Sequence, residues 1–333
     1  MCEERKKLLE IKHLKKYFPI PRKITEVLSK KPQKSVKAVD DITLDIYEDE
    51  ILALVGESGC GKSSFARTII RLYDPDSGQI IMDGKDITKM SKKELRPLKR
   101  NSQMVFQDPY SSLNPRMMVG DMLKEEFLYH HICEPSEVDG KIKDILEKVG
   151  LSDDAIDRFP SEFSGGQRQR IGIARALAVN PKFLVTDEPV SALDISIQAQ
   201  ILNLLKELQK EYSLTILFIS HNLNVVYYIA DRVAVMYLGK IVELGDTKDI
   251  YSKPLHPYTD ILIRSSPNLD PRKREEAPAI NGNPPSPIDI PPGCRFAQRC
   301  PFAKDICHKE LPELKEIYPG HMCACHRYNN INN

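Results

Sequence analysis

Five consecutive apolar residues, Ile51–Val55, run into a glycine-rich turn that closes on Lys62, Ser63 and Ser64. No other stretch narrows the choice of fold so far. The segment ILALVGESGCGKSS fits the phosphate-binding pattern G-x-x-x-x-G-K-[ST], with Gly56, Gly61, Lys62 and Ser63 at its fixed positions. Glycines let backbone N–H groups approach phosphate oxygens without a side chain in the way. A helix beginning near Lys62 aims its positive end at the same anion. In this pattern the lysine reaches the β- and γ-phosphates, and the Ser63 hydroxyl holds Mg²⁺. The strand before the turn and the full spacing after it argue against an ordinary Gly-rich strand–helix connection. The loop is expected to bind a nucleoside triphosphate.

Along the chain, Leu8–Phe18 reads as a strand and Pro19–Lys37 as a Lys- and Pro-rich loop. Two strands meet at a turn over Glu48–Glu50, the second feeding the phosphate loop, and Ser63–Leu72 has the make-up of a short helix stopped by Asp74-Pro75. SGQIIMDGKDI, from Ser77, signals a hairpin with Asp83-Gly84 at its turn. A strand at Met104–Phe106 ends on Gln107, and the pattern from Met122 to about Phe159 is helical. A Ser-Gly-Gly turn then opens a helix that Asn180-Pro181 ends. Ile195–Tyr212 is amphipathic, with Ile197, Ile201, Leu204, Leu205 and Leu208 on one face. FLVTDEP and SLTILFISH read as buried strands, and VAVMYLGKIVELG as a hairpin about Leu238-Gly239. Continuous apolar strands between helices imply a mostly parallel sheet covered on both faces, with ligands at the strands' carboxyl ends. After about Arg264 the composition changes: Ser266–Gly293 is Pro-rich with little apolar periodicity, as expected of a linker or arm.

Forty-eight Lys and Arg balance 47 Asp and Glu, a formal charge of +1 that gives no support to a nucleic-acid-wrapping surface. No apolar run approaches the roughly 18 residues of a membrane span, and MCEERKKLLE lacks the apolar core of a secretory signal. The chain is expected to be soluble and cytosolic, linked to any membrane through a partner.

Three strands end in reactive residues. Phe183–Thr186 runs into Asp187 and Glu188; an aspartate there binds Mg²⁺ directly or through water, and the next acid polarises an attacking water. Ile216–Ser220 ends in His221, and Met104–Phe106 in Gln107. Ser164-Gly165-Gly166-Gln167 sets small residues at a helix start, alone no more than an N-cap. In this order and spacing the motifs resemble the ATP-binding subunits of ABC transporters over Leu8–Ile263. Gly56–Ser64 is similar to Walker A, Gln107 to the Q-loop, FSGGQ at Phe163–Gln167 to the ABC signature, and Phe183–Glu188 to Walker B. Ser191–Asp194 resembles the D-loop and His221 the switch histidine.

The resemblance implies an α/β fold: a P-loop NTPase (RecA-like) parallel-sheet core, an antiparallel β subdomain, a helical subdomain at about 108–176, and a Cys-rich extension. The ATPase domain would span 1–264 and the extension 265–333. It implies that two such domains pair head to tail around two ATPs. Gly56, Glu57, Ser58, Gly59, Cys60, Gly61, Lys62, Ser63 and Ser64 would hold one ATP, with Tyr17 stacked on adenine. Ser164, Gly165, Gly166 and Gln167 would serve the partner's γ-phosphate, and Asp194 would lie in the same contact. Glu188 would be the general base and His221 the γ-phosphate sensor; Gln107 would sense both metal and transmembrane partner, with Mg²⁺ held through Ser63, Gln107 and Asp187.

FQDPYSSLNPR at Phe106–Arg116, LHPYT at Leu255–Thr259, and CRFAQRCPFAKDIC at Cys294–Cys307 with ACH at Ala324–His326 resemble one subgroup, the dipeptide/oligopeptide and nickel importers. Peptide import is the reading this supports. Its alternatives are a nickel importer of the same subgroup and a soluble ABC ATPase acting on nucleic acid or ribosomes. The implied partners are a second, paralogous ATPase subunit, two transmembrane permeases and, indirectly, an extracytoplasmic peptide-binding protein, with the chain peripheral on the cytoplasmic face of the membrane and no nucleic acid involved.

Of eight cysteines, Cys294, Cys300, Cys307, Cys323 and Cys325 crowd the tail, at spacings of five, six, fifteen and one intervening residues. In a cytosolic protein such a cluster suggests metal rather than disulfides. Structural zinc sites carry C-x₂₋₄-C pairs, and none occurs in this tail. Four thiolates spread over a loop-rich segment suit a [4Fe–4S] cluster, with zinc and reduced or disulfide-bonded thiols as alternatives. Cys294, Cys300 and Cys307 are the first three ligands. Cys325 is taken as the fourth over Cys323 because it matches the subgroup's terminal ACH, and its role is expected to be structural, pinning the Pro-rich arm.

Overall fold

The computed structural model describes residues 5–22, 33–265 and 285–328. Most of the expected linker, 266–284, and part of the basic loop after Pro19, 23–32, lie outside them. In chain order the elements are β1 (Lys7–Pro19), β2 (Ser35–Tyr47), β3 (Ile51–Val55), α1 (Lys62–Ile69), β4 (Ser77–Met82), β5 (Lys85–Asp86) and β6 (Ser102–Val105). These are followed by α2 (Val119–Tyr129), α3 (Val138–Lys148), α4 (Gly165–Leu177), β7 (Phe183–Asp187), α5 (Ile195–Tyr212), β8 (Thr215–Ile219) and α6 (Leu223–Ile229). The last are β9 (Arg232–Tyr237), β10 (Lys240–Asp246), α7 (Thr247–Ser252), α8 (Pro257–Ser265), β11 (Lys315–Tyr318) and β12 (His321–Cys323). They fall into two compact units. The first holds residues 1–6, 47–51 and 89–219, the second 7–46, 52–88 and 220–333.

In the first unit β6, β7 and β8 pair in parallel, Ser102 with Phe183 and Phe183 with Thr215 beginning the registers. Leu184, Val185, Leu217 and Phe218 are fully buried, as parallel strands covered on both faces require. The stretch expected to be helical from Met122 is two helices, interrupted where His131 turns left-handed (φ 52°) ahead of Pro135. α3 ends in a Schellman motif: Gly150 (φ 71°) donates to Glu147 and Leu151 to Leu146, at 2.8 and 2.9 Å. α5 buries Ile201, Leu202, Leu204, Leu205 and Leu208, close to the face that its periodicity marks.

In the second unit an antiparallel sheet runs in the order β2-β1-β4-β5. β3 pairs in parallel with β9, which turns through Leu238-Gly239 into antiparallel β10. β10 then pairs with β12, and β12 with β11. The Cys-rich tail thus supplies two strands to the sheet that carries β3, instead of remaining a bare arm. α1 stops earlier than the composition suggests, because Arg71 turns left-handed (φ 57°) and sends its guanidinium to the Ile87 and Thr88 carbonyls.

One buried carboxylate ties this unit together. Glu243 on β10 is fully buried and accepts from the Leu255 and His256 N–H groups at 2.7 and 2.9 Å and from Nε2 of His321 on β12 at 2.8 Å. His256 is itself buried, and its Nδ1 accepts from the Tyr258 N–H at 3.1 Å, so that nitrogen carries no proton. Burial pulls the imidazole from 6.5 down to about 4, against a weaker upward pull from Glu243.

A depressed histidine pKa means that the unfolded chain takes the proton first as pH falls. The stabilisation is complete above about pH 6.5 and is lost progressively towards about pH 4, amounting to about 3 kcal/mol. Urea unfolding of the full chain across that window should show a shallower pH slope for His256→Asn than for the wild type. Equal slopes would contradict the assignment.

Candidate nucleotide-binding site

The phosphate loop belongs to the second unit, between β3 and α1. Gly56 (φ 152°) and Gly61 (φ 111°) adopt backbone conformations that L residues rarely take. The space is closed as well: a Cβ on Gly56 would fall 2.1 Å from the Met236 carbonyl oxygen, and one on Gly61 2.0 Å from that of Ala38. The loop is therefore wrapped against the backbones of β9 and β2. Lys62 is buried at the start of α1, and its Nζ donates to the Gly56 and Glu57 carbonyls at 2.8 and 3.1 Å. Its ammonium is thereby held inside the ring of the loop, where a phosphate would arrive. Cys60 is buried beside it, and burial raises its thiol above the ordinary range.

Tyr17 stands on β1, half-buried, its hydroxyl donating to Asp40 and Lys37 Nζ lying 6.0 Å from its ring centre. Burial, then the bond to Asp40, raises the phenol pKa. His221 is exposed just after β8, next to Asn222, which caps α6 by accepting from the Asn224 and Val225 N–H groups.

In the first unit β7 ends on Asp187, almost fully buried. Glu188 leaves the strand in a left-handed conformation (φ 50°), unusual for a non-glycine residue. Its N–H donates to the Ile219 carbonyl at 3.0 Å, and its carboxylate accepts from Gln107 Nε2 at 3.1 Å. Gln107 and Glu188, 81 residues apart, are thus brought together. β6 lies slightly earlier than expected, ending at Val105 and leaving Phe106 and Gln107 in the following loop.

Ser164 and Gln167 form a reciprocal capping box at the start of α4: the Ser164 N–H donates to Gln167 Oε1 at 2.9 Å, and the Gln167 N–H to Ser164 Oγ at 3.3 Å. Gly165 is exposed, whereas a Cβ on Gly166 would meet Ile197 Cγ2 at 2.5 Å. The signature turn therefore sits against α5 and the loop before it, where Asp194 is exposed.

In the tail, Cys294, Cys300, Cys307 and Cys325 line one cavity of about 20 Å³ together with His326. Cys323 does not; it is buried on β12 opposite Glu243. Among the described residues no three His, Cys, Asp or Glu side chains are disposed to ligate a single metal ion. Burial pushes Cys294 up to about 11 and raises Cys300 and Cys325, so these thiols stay protonated at neutral pH unless a cation compensates.

Residues 39–191 match the ABC transporter family, and residues 242–307 the oligopeptide/dipeptide transporter C-terminal region. Over 325 residues the sequence is 50% identical to the oligopeptide transport ATP-binding protein AppF of Bacillus subtilis, covering 96% of this chain and 97% of that one. The chain belongs to the ABC transporter family. It is an ABC ATPase of the branch that carries the oligopeptide/dipeptide transporter C-terminal region. A putative peptide import ATP-binding protein of Brucella ovis is 49% identical over 89% of this chain and 93% of its own length. Among solved structures, the ATP-binding cassette MJ0796, dimeric and bound to ADP and Pi after hydrolysis, superposes with a TM-score of 0.63 at 25% identity, covering 72% of this chain and 98% of that one. The ABC transporter component cbiO1 of Clostridium perfringens gives the same TM-score at 27% identity over 74% of this chain and 92% of that one.

Two residues that hold this ATPase's loop, Tyr258 and Arg299, are not apparent from its phosphate-binding motifs. Tyr258, inside LHPYT, accepts from the Glu57 N–H at 2.8 Å, and Arg299 grips the Glu57 carboxylate. The one visible hint is CRFAQRC, two arginines four apart between two cysteines.

Proposed function

We propose that the chain is the ATP-hydrolysing subunit that drives import of di- and oligopeptides across the cytoplasmic membrane. The observation that carries this reading is the near full-length likeness to an oligopeptide transport ATP-binding protein, tail included. The relatives quoted above are named for peptides, which favours peptide over nickel as cargo. Among the described residues no helix is long and apolar enough to cross a membrane, so the path for peptide would belong to two permease subunits. The chain would sit on the cytoplasmic face beside a second, paralogous ATPase, fed by an extracytoplasmic peptide-binding protein. A dimeric neighbour of known structure supports pairing. Residues 1–264, with the helical part at about 108–176, would act as the ATPase domain, and 265–333 as its extension.

In this mechanism the loop Gly56–Ser64 wraps the phosphates, Lys62 neutralises the β- and γ-oxygens, and Tyr17 stacks on adenine. Ser63, Gln107 and Asp187 offer hydroxyl, amide and carboxylate oxygens, the donor set Mg²⁺ prefers; bound there, the ion would neutralise charge developing on the phosphates. Glu188 takes the proton of the attacking water, held in place by Gln107. His221 reads the γ-phosphate. Ser164, Gly165, Gly166 and Gln167, with Asp194 nearby in sequence to their packing partner Ile197, face the partner's ATP. Closure then depends on a phosphate that bridges two subunits, and hydrolysis removes the bridge.

A [4Fe–4S] cluster in the tail would be held by Cys294, Cys300, Cys307 and Cys325. Its support is that these four thiols line one cavity while Cys323 does not. The cluster would supply a cross-link between loops poor in apolar residues.

Glu188→Gln should bind ATP as the wild type does, hydrolyse it at least about 100-fold more slowly, and accumulate as a closed dimer in size-exclusion chromatography. Near-normal turnover would refute the base. Metal analysis of anaerobically purified chain should find about four irons, and stoichiometric zinc without iron would refute the cluster.

A further inference from the structure

The phosphate-loop pattern leaves its second position unspecified, yet here Glu57 is held through its N–H, its carbonyl and its carboxylate. Its N–H donates to the Tyr258 hydroxyl at 2.8 Å and its carbonyl accepts from Lys62 Nζ at 3.1 Å. Its carboxylate accepts from both Nη atoms of Arg299, each at 2.9 Å. This is a fork-on-fork pair, which fixes orientation as well as distance. Arg299 is buried, its side chain 6% exposed, and Nη1 also donates to the Tyr237 hydroxyl at 3.0 Å.

Arg299 comes from the tail, 242 residues away. It ends a turn that begins at Cys294 and closes at Cys300, two of the residues lining the tail cavity. Within that turn Cys294 donates to the Cys307 carbonyl at 2.7 Å and Arg299 to the Phe296 carbonyl at 2.9 Å. Phe296 is buried, its ring centre 5.4 Å from those of Tyr237 and Tyr258. The other arginine of the turn, Arg295, donates to the Leu238 carbonyl and to Asp40, which also accepts from the Tyr17 hydroxyl. One tail turn thus reaches the phosphate loop with one arginine and, with the other, Asp40, the acceptor of the Tyr17 hydroxyl.

We propose that Arg299 is a positioning residue of the nucleotide site: it neutralises and orients Glu57, so that the loop's carbonyls hold Lys62 and its one carboxylate does not oppose the incoming phosphates. This rests on the reading that Gly56–Ser64 binds the ATP phosphates. The electrostatics give it a sign. Remove Arg299 and Glu57 remains as an uncompensated carboxylate inside an anion-binding loop, half-shielded from water. Remove the charge of Glu57 as well, and the repulsion goes with it.

The test is ATP binding by the full-length chain, followed by titration calorimetry, with ATPase kinetics of the assembled transporter. Arg299→Ala should weaken ATP binding and raise the KM for ATP by about tenfold, with kcat within about twofold of wild type. Arg299→Lys, which keeps the charge without the fork, should fall between. Adding Glu57→Gln to Arg299→Ala should recover most of the lost affinity. Wild-type affinity in Arg299→Ala would overturn the proposal, and so would a double variant as weak as the single, since simple loss of packing is not rescued by a second substitution. Lys62→Ala separates the two readings. Normal ATP binding in that variant would remove the phosphate-loop assignment itself. Lost binding there, beside normal binding in Arg299→Ala, would remove only the role of Arg299.

Discussion

The constraint on which the site depends is a contact between backbones. The carbonyls of Met236 on β9 and Ala38 on β2 occupy the places where Cβ atoms of Gly56 and Gly61 would stand. This lets the loop fold tightly enough for its Gly56 and Glu57 carbonyls to hold the Lys62 ammonium. It also means that the loop's shape is set by two other strands, β2 shortly before it and β9 far along the chain. β9 is fixed by its parallel register with β3 and its antiparallel one with β10, and β10 is fixed in turn by Glu243, whose carboxylate gathers the Leu255–His256 segment and the tail strand β12.

The first unit handles its two acids differently. Asp187 stays on the strand, almost fully buried, where its geometry is that of the sheet. Glu188 is turned out of the strand by a left-handed backbone and is met by the amide of Gln107. Neighbouring carboxylates thereby take up different environments, which suits one to hold a cation and the other to accept a proton. An unusual backbone angle costs about 1 kcal/mol or more, and here it coincides with the residue assigned the most demanding chemistry.

Legibility in the sequence followed the range of the interactions. The phosphate loop, the strand before it, the Leu238-Gly239 hairpin and the amphipathic α5 are written locally, in glycine spacing and in periods of two and 3.6 residues. Boundaries set by tertiary contact were less legible: α1 ends where Arg71 turns to reach Ile87 and Thr88, and the helical stretch breaks at His131, not at a glycine. The tail was legible as a cysteine pattern but not as two strands, because β11 and β12 are four and three residues long and acquire their identity only by pairing onto β10. Arg299 was the least legible of all. The two arginines of CRFAQRC mark the turn but not a partner at Glu57, because ion pairs across such separations leave no periodicity.

On the proposed mechanism, Gly56–Ser64 is half of an ATP site whose other half comes from a second subunit. A structure of the assembled transporter with ATP trapped tests it most directly. The γ-phosphate should lie beside Lys62 of one ATPase subunit and face a Ser164-Gly165-Gly166 turn, or its paralogous counterpart, from the other. A triphosphate seated away from the Gly56–Ser64 loop, or enclosed by one subunit alone, would contradict it.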